Sequence, residues 1–292
     1  MIGALLRPHY LWRPAWAARR ALRIFQTPPA QASVGLPWGS RLRVRPREVI
    51  GAALWYHGVY DLSVSEALWR LLDLGDTAID AGANIGYMTS LMARRIGPTG
   101  HVLAVEPHPE LYPLLLDNIR LAAEGSSCAR VEAVQAALGE RDGDAVLAWG
   151  EDFVSNAGTA RVVEGDVLSV HAAKVPLRPL DDLVSWPLVS LLKLDVEGYE
   201  ARVLRGAGRL LSERRITHIV YEDHVGPGSD VQRSLADHGY VSFALGWRLW
   251  GPVIAPAALG SLAHPWEPPS YIATLQPEMV RQRMARCGWR VL

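Results

Sequence analysis

The sequence contains little cysteine and little lysine, and it has no long apolar runs. Two cysteines in 292 residues, Cys128 and Cys287, cannot form a disulfide framework, so a reducing compartment is expected. No stretch approaches the roughly 18 apolar residues that span a bilayer. Near the amino terminus, Arg7 and Pro8 interrupt the apolar residues before they reach the length of a secretory signal. We therefore expect a cytoplasmic protein.

The composition is that of a globular protein, with 49% hydrophobic and 21% charged residues, but the charge is unevenly distributed. Residues 1–50 contain nine arginines and one acid, a net charge of +8, so residues 51–292 carry −8. We divide the chain into a basic amino-terminal arm and linker, residues 1–50, and one domain, residues 51–292. The arm could contact a membrane surface peripherally, contact nucleic acid, form an oligomer interface or pack against the domain.

Apolar runs alternate with amphipathic stretches from residue 76 onward. Residues 28–46 are rich in Pro, Gly and Ser and are interpreted as a linker, and residues 49–60 as a strand or loop. The alternation is typical of βαβ units, and it predicts a doubly wound α/β fold of the Rossmann-like type, with helices on both faces of a mostly parallel sheet. Strands are predicted at 77–82, 101–107, 131–138, 144–149, 166–171, 189–198, 217–223, 240–246 and 270–275, and helices at 63–73, 85–96, 109–124, 199–211 and 230–238.

The loop after the first of these strands reads Asp80-Ala81-Gly82-Ala83-Asn84-Ile85-Gly86. Its glycines allow a sharp turn and a close approach of backbone to ligand, and the following helix offers free N–H groups. The pattern differs from the G-x-G-x-x-G of dinucleotide-binding loops, and its acid favours a ligand that carries an ammonium or sulfonium. The alternative is an ordinary strand–turn–helix junction without a ligand.

Glu106 ends the next strand, about twenty residues after the glycine loop. In Rossmann-like folds an acid at this place accepts hydrogen bonds from ribose hydroxyls. A solvated carboxylate at a strand end is the alternative. The loop and the acid together favour a cofactor that contains a nucleoside.

Four segments in this order resemble the FkbM-type family of S-adenosylmethionine-dependent methyltransferases: AIDAGANIGYMTSLMA, VEPHPELYPLLLDNI, PLDDL and LLKLDVEGYEARVLRGA. The resemblance covers roughly residues 55–275. It implies a class I methyltransferase domain within residues 51–292, with a seven-stranded sheet whose last strand is antiparallel. It also implies S-adenosylmethionine as the cofactor, and the acceptor would be a hydroxyl of a sugar or another small molecule.

The same resemblance assigns the cofactor contacts. Asp80, Gly82, Asn84 and Gly86 would surround the methionine end, with Ala83 in the same loop, and Glu106 would bind the ribose hydroxyls. Pro107 and the Ala136–Ala137 end of the third strand would border the adenine. The segment from His57 to Asp61 would close over the cofactor.

Acidic residues and a histidine lie at the carboxyl ends of the two core strands at 189–198 and 217–223, and strand alternation would place Asp195 and Glu197 on the same face if the strand continues that far. Methyl transfer to a hydroxyl requires a group that positions the acceptor oxygen and removes its proton. We rank His224 first, then Asp195 and Glu197, with Glu200, Glu222 and Asp223 close by. The two glutamates after Asp195 could instead cap a helix or pair with an arginine, and His224 could be a solvated loop residue. No metal is predicted, although these acids could bind Mg²⁺.

Two other functions remain open at this point. One is a methyltransferase with a different acceptor, such as RNA, protein or a nitrogen atom, although the charge of −8 and the absence of a basic–aromatic stripe argue against nucleic acid. The other is a scaffold that binds the cofactor without turnover. Acceptor contacts are expected in the irregular segment that contains Asn156 and Gly158. The sequence leaves oligomer formation open.

Overall fold

The computed structural model describes residues 8–124, 127–150, 160–163, 171–264 and 267–292. The strands are β1 Ala32–Gly35, β2 Arg41–Val44, β3 Thr77–Ala81, β4 His101–Val105, β5 Arg130–Val134, β6 Ala137–Leu138, β7 Gly143–Trp149, β8 Arg161–Val163, β9 His171–Arg178, β10 Val189–Leu194, β11 Ile216–Glu222, β12 Val241–Arg248, β13 Gly251–Pro256 and β14 Ser270–Thr274. The helices are α1 Pro8–Trp12, α2 Pro14–Ile24, α3 Val49–His57, α4 Leu62–Leu71, α5 Tyr87–Ile96, α6 Leu111–Ala123, α7 Leu180–Leu183, α8 Glu200–Arg205, α9 Gly208–Ser212, α10 Asp230–Asp237 and α11 Pro277–Met284.

Among the described residues, eight strands form the central sheet, in the order β13-β12-β14-β11-β10-β3-β4-β5. Strands β5, β4, β3, β10 and β11 are mutually parallel, and β14 runs antiparallel between β11 and β12. The doubly wound α/β prediction is confirmed, including the antiparallel last strand. The predicted count of seven is one too low, because β13 folds back on β12 as an antiparallel hairpin.

The strands of the sheet are apolar on both faces because both faces are covered by helices. Successive residues of β10 therefore enter different cores, Leu191 on one face and Leu192 on the other, and both are fully buried. Helices α4, α5 and α11 cover the first face, and α8, α9 and α10 cover the second. After β3 the chain adds β4 and β5 on one side of this strand, and it later adds β10 and β11 on the other side. The strand order therefore reverses between β3 and β10. Such a reversal opens a crevice for ligands beyond the carboxyl ends of the strands.

Two predictions before residue 60 are wrong. The segment interpreted as a linker holds the β1–β2 hairpin, in which Leu42 and Val44 are fully buried. The hairpin is fixed to α6 because the Asn118 side chain accepts the Arg43 N–H at 2.7 Å and donates to its carbonyl at 3.0 Å. Residues 49–57 form helix α3 and not a strand, because their apolar side chains pack between the hairpin and the arm.

A smaller four-stranded sheet follows β5, in the order β6-β9-β7-β8. It begins at Ala137, directly beyond the carboxyl end of β5, and so borders the crevice. The acceptor contacts expected around Asn156 and Gly158, and the strand expected at 166–171 except its last residue, lie outside the described residues.

The first and last described segments of the chain pack against the rest of the domain. Arg70 of α4 donates to four carbonyl oxygens within residues 283–288, and the Glu66 carboxylate accepts the N–H groups of residues 290 and 291. At the other end, the buried Trp16 of α2 packs over the turn that follows α3. Within the described part of the chain, no helix is long and apolar enough to cross a membrane.

Candidate active site

A cleft of about 1170 Å³, a volume that includes the part open to solvent, lies at the carboxyl edge of the central sheet. The ends of five neighbouring strands form the base of this cleft. In sheet order they bring Glu222 at the end of β11, Asp195 after β10, Gly82 after β3, Glu106 after β4 and Ala137 beyond β5. The structure thus brings the predicted glycine loop, the predicted ribose acid and the predicted carboxylates together in one place.

The loop after β3 is shaped by two residues in the left-handed region, Gly82 at φ +76° and Asn84 at φ +50°. A Cβ on Gly82 would lie 1.9 Å from the carbonyl oxygen of Asp195, so only glycine lets the two loops approach this closely. Gly82, Ala83 and Asn84 all line the cleft. Gly86 does not; it precedes α5 with φ +84°, and a Cβ there would meet Leu115.

Asp80 lies beneath the cleft and does not line it. Its side chain is fully buried, accepts the Thr89 hydroxyl at 2.6 Å and lies 3.5 Å from the Lys193 ammonium. That ammonium also lies 3.2 Å from Asp195 and donates to the Gly82 carbonyl at 2.8 Å. Burial alone would lower the pKa of Lys193, but the carboxylates of Asp195 and Asp80 raise it above its usual value. Lys193 is therefore a buried cation that ties the β3 and β10 loops together.

Glu106 points back at the glycine loop. One carboxylate oxygen accepts the Asn84 N–H at 2.7 Å and the other accepts the His108 N–H at 2.8 Å. Burial raises the pKa of Glu106 to about 7, although both N–H groups and Lys193 oppose the shift. The acid predicted to bind a ribose therefore lines the cleft and also orders the loop beside it.

The far end of the cleft, beyond β4 and β5, is apolar. Pro107 and Ala137 line it as predicted, and they are joined by residues that the sequence did not single out: Leu111, Leu138, Leu147 and Val162. This wall offers a flat, apolar surface of the kind that accommodates a nucleobase.

The opposite end of the cleft carries four carboxylates, those of Asp195, Glu197, Glu222 and Asp61. Burial, followed by the charges of the other three, raises the pKa of Glu222 to about 8. Burial and Asp195 likewise raise the pKa of Glu197 to about 7. The strand ends at Leu194 and Glu197 has φ +56°, so a loop, and not the strand alternation we expected, places Asp195 and Glu197 together. Negative charge at this end suits a ligand that carries positive charge.

The first-ranked residue, His224, does not line the cleft. Its side chain is 68% exposed, and its Nε2 lies 2.5 Å from a carboxylate oxygen of Glu222, which does line it. Asp223 has a structural role, since it accepts the N–H groups of Val225 and Gly226 and the Ser229 hydroxyl. The structure thus places Glu222, which our ranking omitted, between the histidine and the cleft.

Glu200 also has a structural role. One of its carboxylate oxygens accepts the N–H groups of Val196 at 3.0 Å and Gly198 at 3.1 Å. These bonds fix the loop that carries Glu197. Neither the arginine pair nor a ligand contact is needed to explain this acid.

The segment from His57 to Asp61 forms one wall of the cleft through its last two residues, Tyr60 and Asp61. Asp61 starts helix α4 by accepting the Val64 N–H at 3.1 Å. Burial raises the pKa of Asp61 to about 6. The Tyr60 N–H donates to the Tyr87 hydroxyl at 3.2 Å, which holds this wall against α5. Among the described residues, no group of three or more His, Cys, Asp or Glu side chains is arranged to hold a metal ion.

A family model described as the methyltransferase FkbM domain matches residues 80–288. The chain belongs to this family. The resemblance inferred from the four motifs is thereby confirmed, and with it the prediction of a methyltransferase domain. The match begins at Asp80 and extends to Gly288, whereas the motifs suggested a span of roughly 55–275.

Named relatives and solved structures give the scale of the similarity. Methyltransferase 1 of Beauveria bassiana is 30% identical over 146 residues, 44% of this chain and 57% of that protein, so this chain spans little more than half of it. The hexuronic acid methyltransferase AglP of Haloferax volcanii is 26% identical over 207 residues, 62% of this chain and 77% of that protein. An FkbM methyltransferase structure from Methylobacillus flagellatus aligns with a TM-score of 0.43 and 16% identity, over 68% of this chain and 43% of that one.

Proposed function

We propose that this FkbM methyltransferase domain binds S-adenosylmethionine in the cleft and transfers its methyl group to a hydroxyl of a small molecule or glycan. The observation that carries the proposal is the order of residues along the carboxyl edge. An apolar wall, the Glu106 carboxylate, the Gly82 loop and a cluster of carboxylates follow one another across five strand ends.

The residues of the cleft fit the parts of this cofactor in the same order. The wall around Pro107 and Ala137 suits adenine, and the Glu106 carboxylate suits the ribose hydroxyls. The tight, glycine-containing turn at Gly82–Asn84 would let the amino-acid end approach the backbone closely. The cofactor would supply an activated methyl group on a positively charged sulfur, and the carboxylates of Asp195, Glu197 and Glu222 would attract this cation into the cleft. Asp80 would act from below, through Lys193, and not by direct contact.

The chain must also place the acceptor hydroxyl and take up its proton. We assign the proton to Glu222, because its carboxylate lines the cleft and the raised pKa keeps its base strength near the working range. His224, in contact with Glu222 on the solvent side, would pass the proton to water. Asp195 is less suited, since its charge is already paired with Lys193.

A hydroxyl acceptor is supported by charge and by a relative. Residues 51–292 carry −8, which disfavours a polyanion such as RNA as the partner. The hexuronic acid methyltransferase AglP, which is similar over 62% of this chain, acts on a sugar acid by its name. Together these favour a small hydroxylated acceptor, a glycan among them.

Calorimetric titration with S-adenosylhomocysteine, with NAD as the control ligand, tests the proposal. We expect micromolar binding of the first compound, no binding of NAD, and loss of binding in Glu106→Gln. Methyl incorporation into a panel of hydroxylated sugars then tests the acceptor class. Preference for NAD would overturn the cofactor assignment, and methyl incorporation into RNA but not into sugars would overturn the acceptor assignment.

A further inference from the structure

Helix α2 turns an apolar stripe toward solvent. Four exposed apolar residues have the spacing of one helix face: Ala15, Ala18, Leu22 and Phe25. The last of them is the residue that caps α2. Leu22 is 70% exposed and Phe25 is 90% exposed. A surface helix normally buries such a stripe against the core and shows its charges to water. We call these four residues the arm face.

The opposite side of α2 is fastened to the domain, so the outward direction of the arm face is fixed. The Trp16 ring lies 3.1 Å from the place where a Cβ would stand on Gly58, which leaves no space between helix and turn. The Arg23 guanidinium lies 3.6 Å from the centre of the Trp55 ring, and Arg20 donates to the Tyr10 hydroxyl at 2.7 Å. The arginines of α2 therefore pack inward over aromatic rings, where apolar residues would be expected.

Two exposed tryptophans lie near the amino-terminal end of α2. Trp12 and Trp250 are 38% and 60% exposed, and their rings meet edge to face with centroids 6.2 Å apart. The Trp12 indole donates to the Leu249 carbonyl at 3.2 Å, which holds its ring in this orientation. Tryptophan, whose ring is amphipathic, is enriched at the boundary between lipid and water.

The positive charge of residues 8–27 indicates which kind of partner this surface binds. Residues 8–27 contain four arginines, at positions 13, 19, 20 and 23, and no acid. A second copy of the chain would bring like charges together, whereas anionic lipid headgroups complement them. Helix α2 has 11 residues and rises about 16 Å, half the thickness of a bilayer core, so it would lie along a membrane surface.

We propose that the arm face docks this protein on an anionic lipid bilayer. Leu22 and Phe25 enter the boundary between headgroups and acyl chains, while the exposed Arg13, which precedes α2, contacts lipid phosphates. The surface is separate from the cleft, so docking does not depend on the proposed methyl transfer.

Flotation with vesicles tests this proposal on the full chain. One set of vesicles contains phosphatidylcholine alone, and the other contains phosphatidylcholine mixed with phosphatidylglycerol. We expect binding to the mixed vesicles only, weakened by salt, and a fall of about tenfold or more in the partition coefficient for Leu22→Glu with Phe25→Glu. The control is Leu74→Glu with Leu259→Glu, which adds the same charge at leucines 76% and 78% exposed elsewhere. This control should bind as the parent does.

Three results would overturn the proposal. One is a parent protein that stays unbound with both vesicle types, and another is an equal loss of binding in the two double variants. The third is concentration-dependent self-association, without vesicle binding, that the Leu22→Glu and Phe25→Glu pair abolishes, which would assign the arm face to a second copy. Because all four substituted leucine and phenylalanine positions are exposed, equal thermal unfolding temperatures will show that both variants are folded.

Discussion

The Glu66 carboxylate accepts the Nε–H of Arg70 at 2.6 Å, and both side chains are almost completely buried. The remaining hydrogen-bonding groups of the pair are used by the main chain of the last ten residues. An ion pair that is buried and saturated in this way is costly to break, because each partner would be left as an uncompensated charge.

We therefore expect Glu66→Gln to lower the free energy of unfolding by about 3–5 kcal/mol. Urea denaturation measures the change. Arg120→Gln is the control, since Arg120 pairs with Asp117 at the surface with 73% of its side chain exposed, and its loss should cost less than about 1 kcal/mol. Equal effects of the two substitutions would contradict the role given to the buried pair.

Gly82→Ala tests the close approach of the β3 and β10 loops. The new Cβ would stand 1.9 Å from the Asp195 carbonyl, so the loops must separate, and S-adenosylhomocysteine affinity should fall by about tenfold or more. Gly39→Ala is the matched control, because Gly39 also has a positive φ, of +90°, but a Cβ there meets nothing within 4 Å. It should cost about 1–2 kcal/mol of stability and leave the affinity unchanged.

Lys193→Met tests the buried cation that ties the β3 and β10 loops together. Without the ammonium, Asp80 is a buried charge with only the Thr89 hydroxyl, and we expect a loss of about 3–5 kcal/mol in unfolding free energy. Adding Asp80→Asn removes that charge, so the double variant should be more stable than Lys193→Met alone. A double variant that is less stable than the single one would show that Asp80 has another partner.

The pH dependence of methyl transfer tests Glu222. If Glu222 takes the proton, kcat/KM should rise with pH through about 8, where its carboxyl deprotonates, and then level off. Glu222→Gln should lower kcat/KM about 10²–10⁴-fold and remove this rise. His224→Gln should keep the rise and lose less than about tenfold. The assignment fails if His224→Gln loses as much as Glu222→Gln, since the histidine would then be the base.

Thermal stability without cofactor should fall between pH 6.5 and 8. The pKa of Glu222 is about 8 in the folded chain, above its value of 4.5 when unfolded, so the folded state keeps a proton that the unfolded state has released. Stability is then lost as pH rises toward 8. The buried His108 and His218, whose pKa values fall to about 4, act in the opposite direction only below pH 6.5. Scanning calorimetry of Glu222→Gln should give a shallower slope; an unchanged slope would refute the shift.

The sequence predicted the central sheet well, because its strands are buried on both faces and read as apolar runs such as HVLAV and VSLLKL. It missed β1 and β2, where one and two of four residues are buried and Pro and Gly surround the strands, although the alternation of Arg and apolar residues at 41–44 was a usable signal. It also missed α11, despite the proline at the first helical position.

The sequence predicted the location of the candidate site better than it predicted the roles of the individual residues. Glycine and carboxylate motifs identify which strand ends meet, since parallel strands end at one edge. These motifs do not reveal which side chains face the cleft. Asp80 is thus below it and His224 outside it, while Glu222 lines it. Which of these side chains faces the cleft depends on how the strands and loops pack together, which no local pattern encodes. Only the family resemblance pointed to the segment from His57 to Asp61, whose last two residues line the cleft.

The carboxylates at one end of the cleft affect how the used cofactor leaves after each turnover. In the proposed reaction the ligand arrives as a sulfonium cation and remains as an uncharged thioether once its methyl group is gone. Asp195, Glu197 and Glu222 attract the first and gain nothing from the second. The used cofactor is then held less firmly than fresh cofactor, and this difference should widen as pH rises and Glu197 and Glu222 ionise. Methyl transfer removes the positive charge of the cofactor, and this loss of charge favours release of the product.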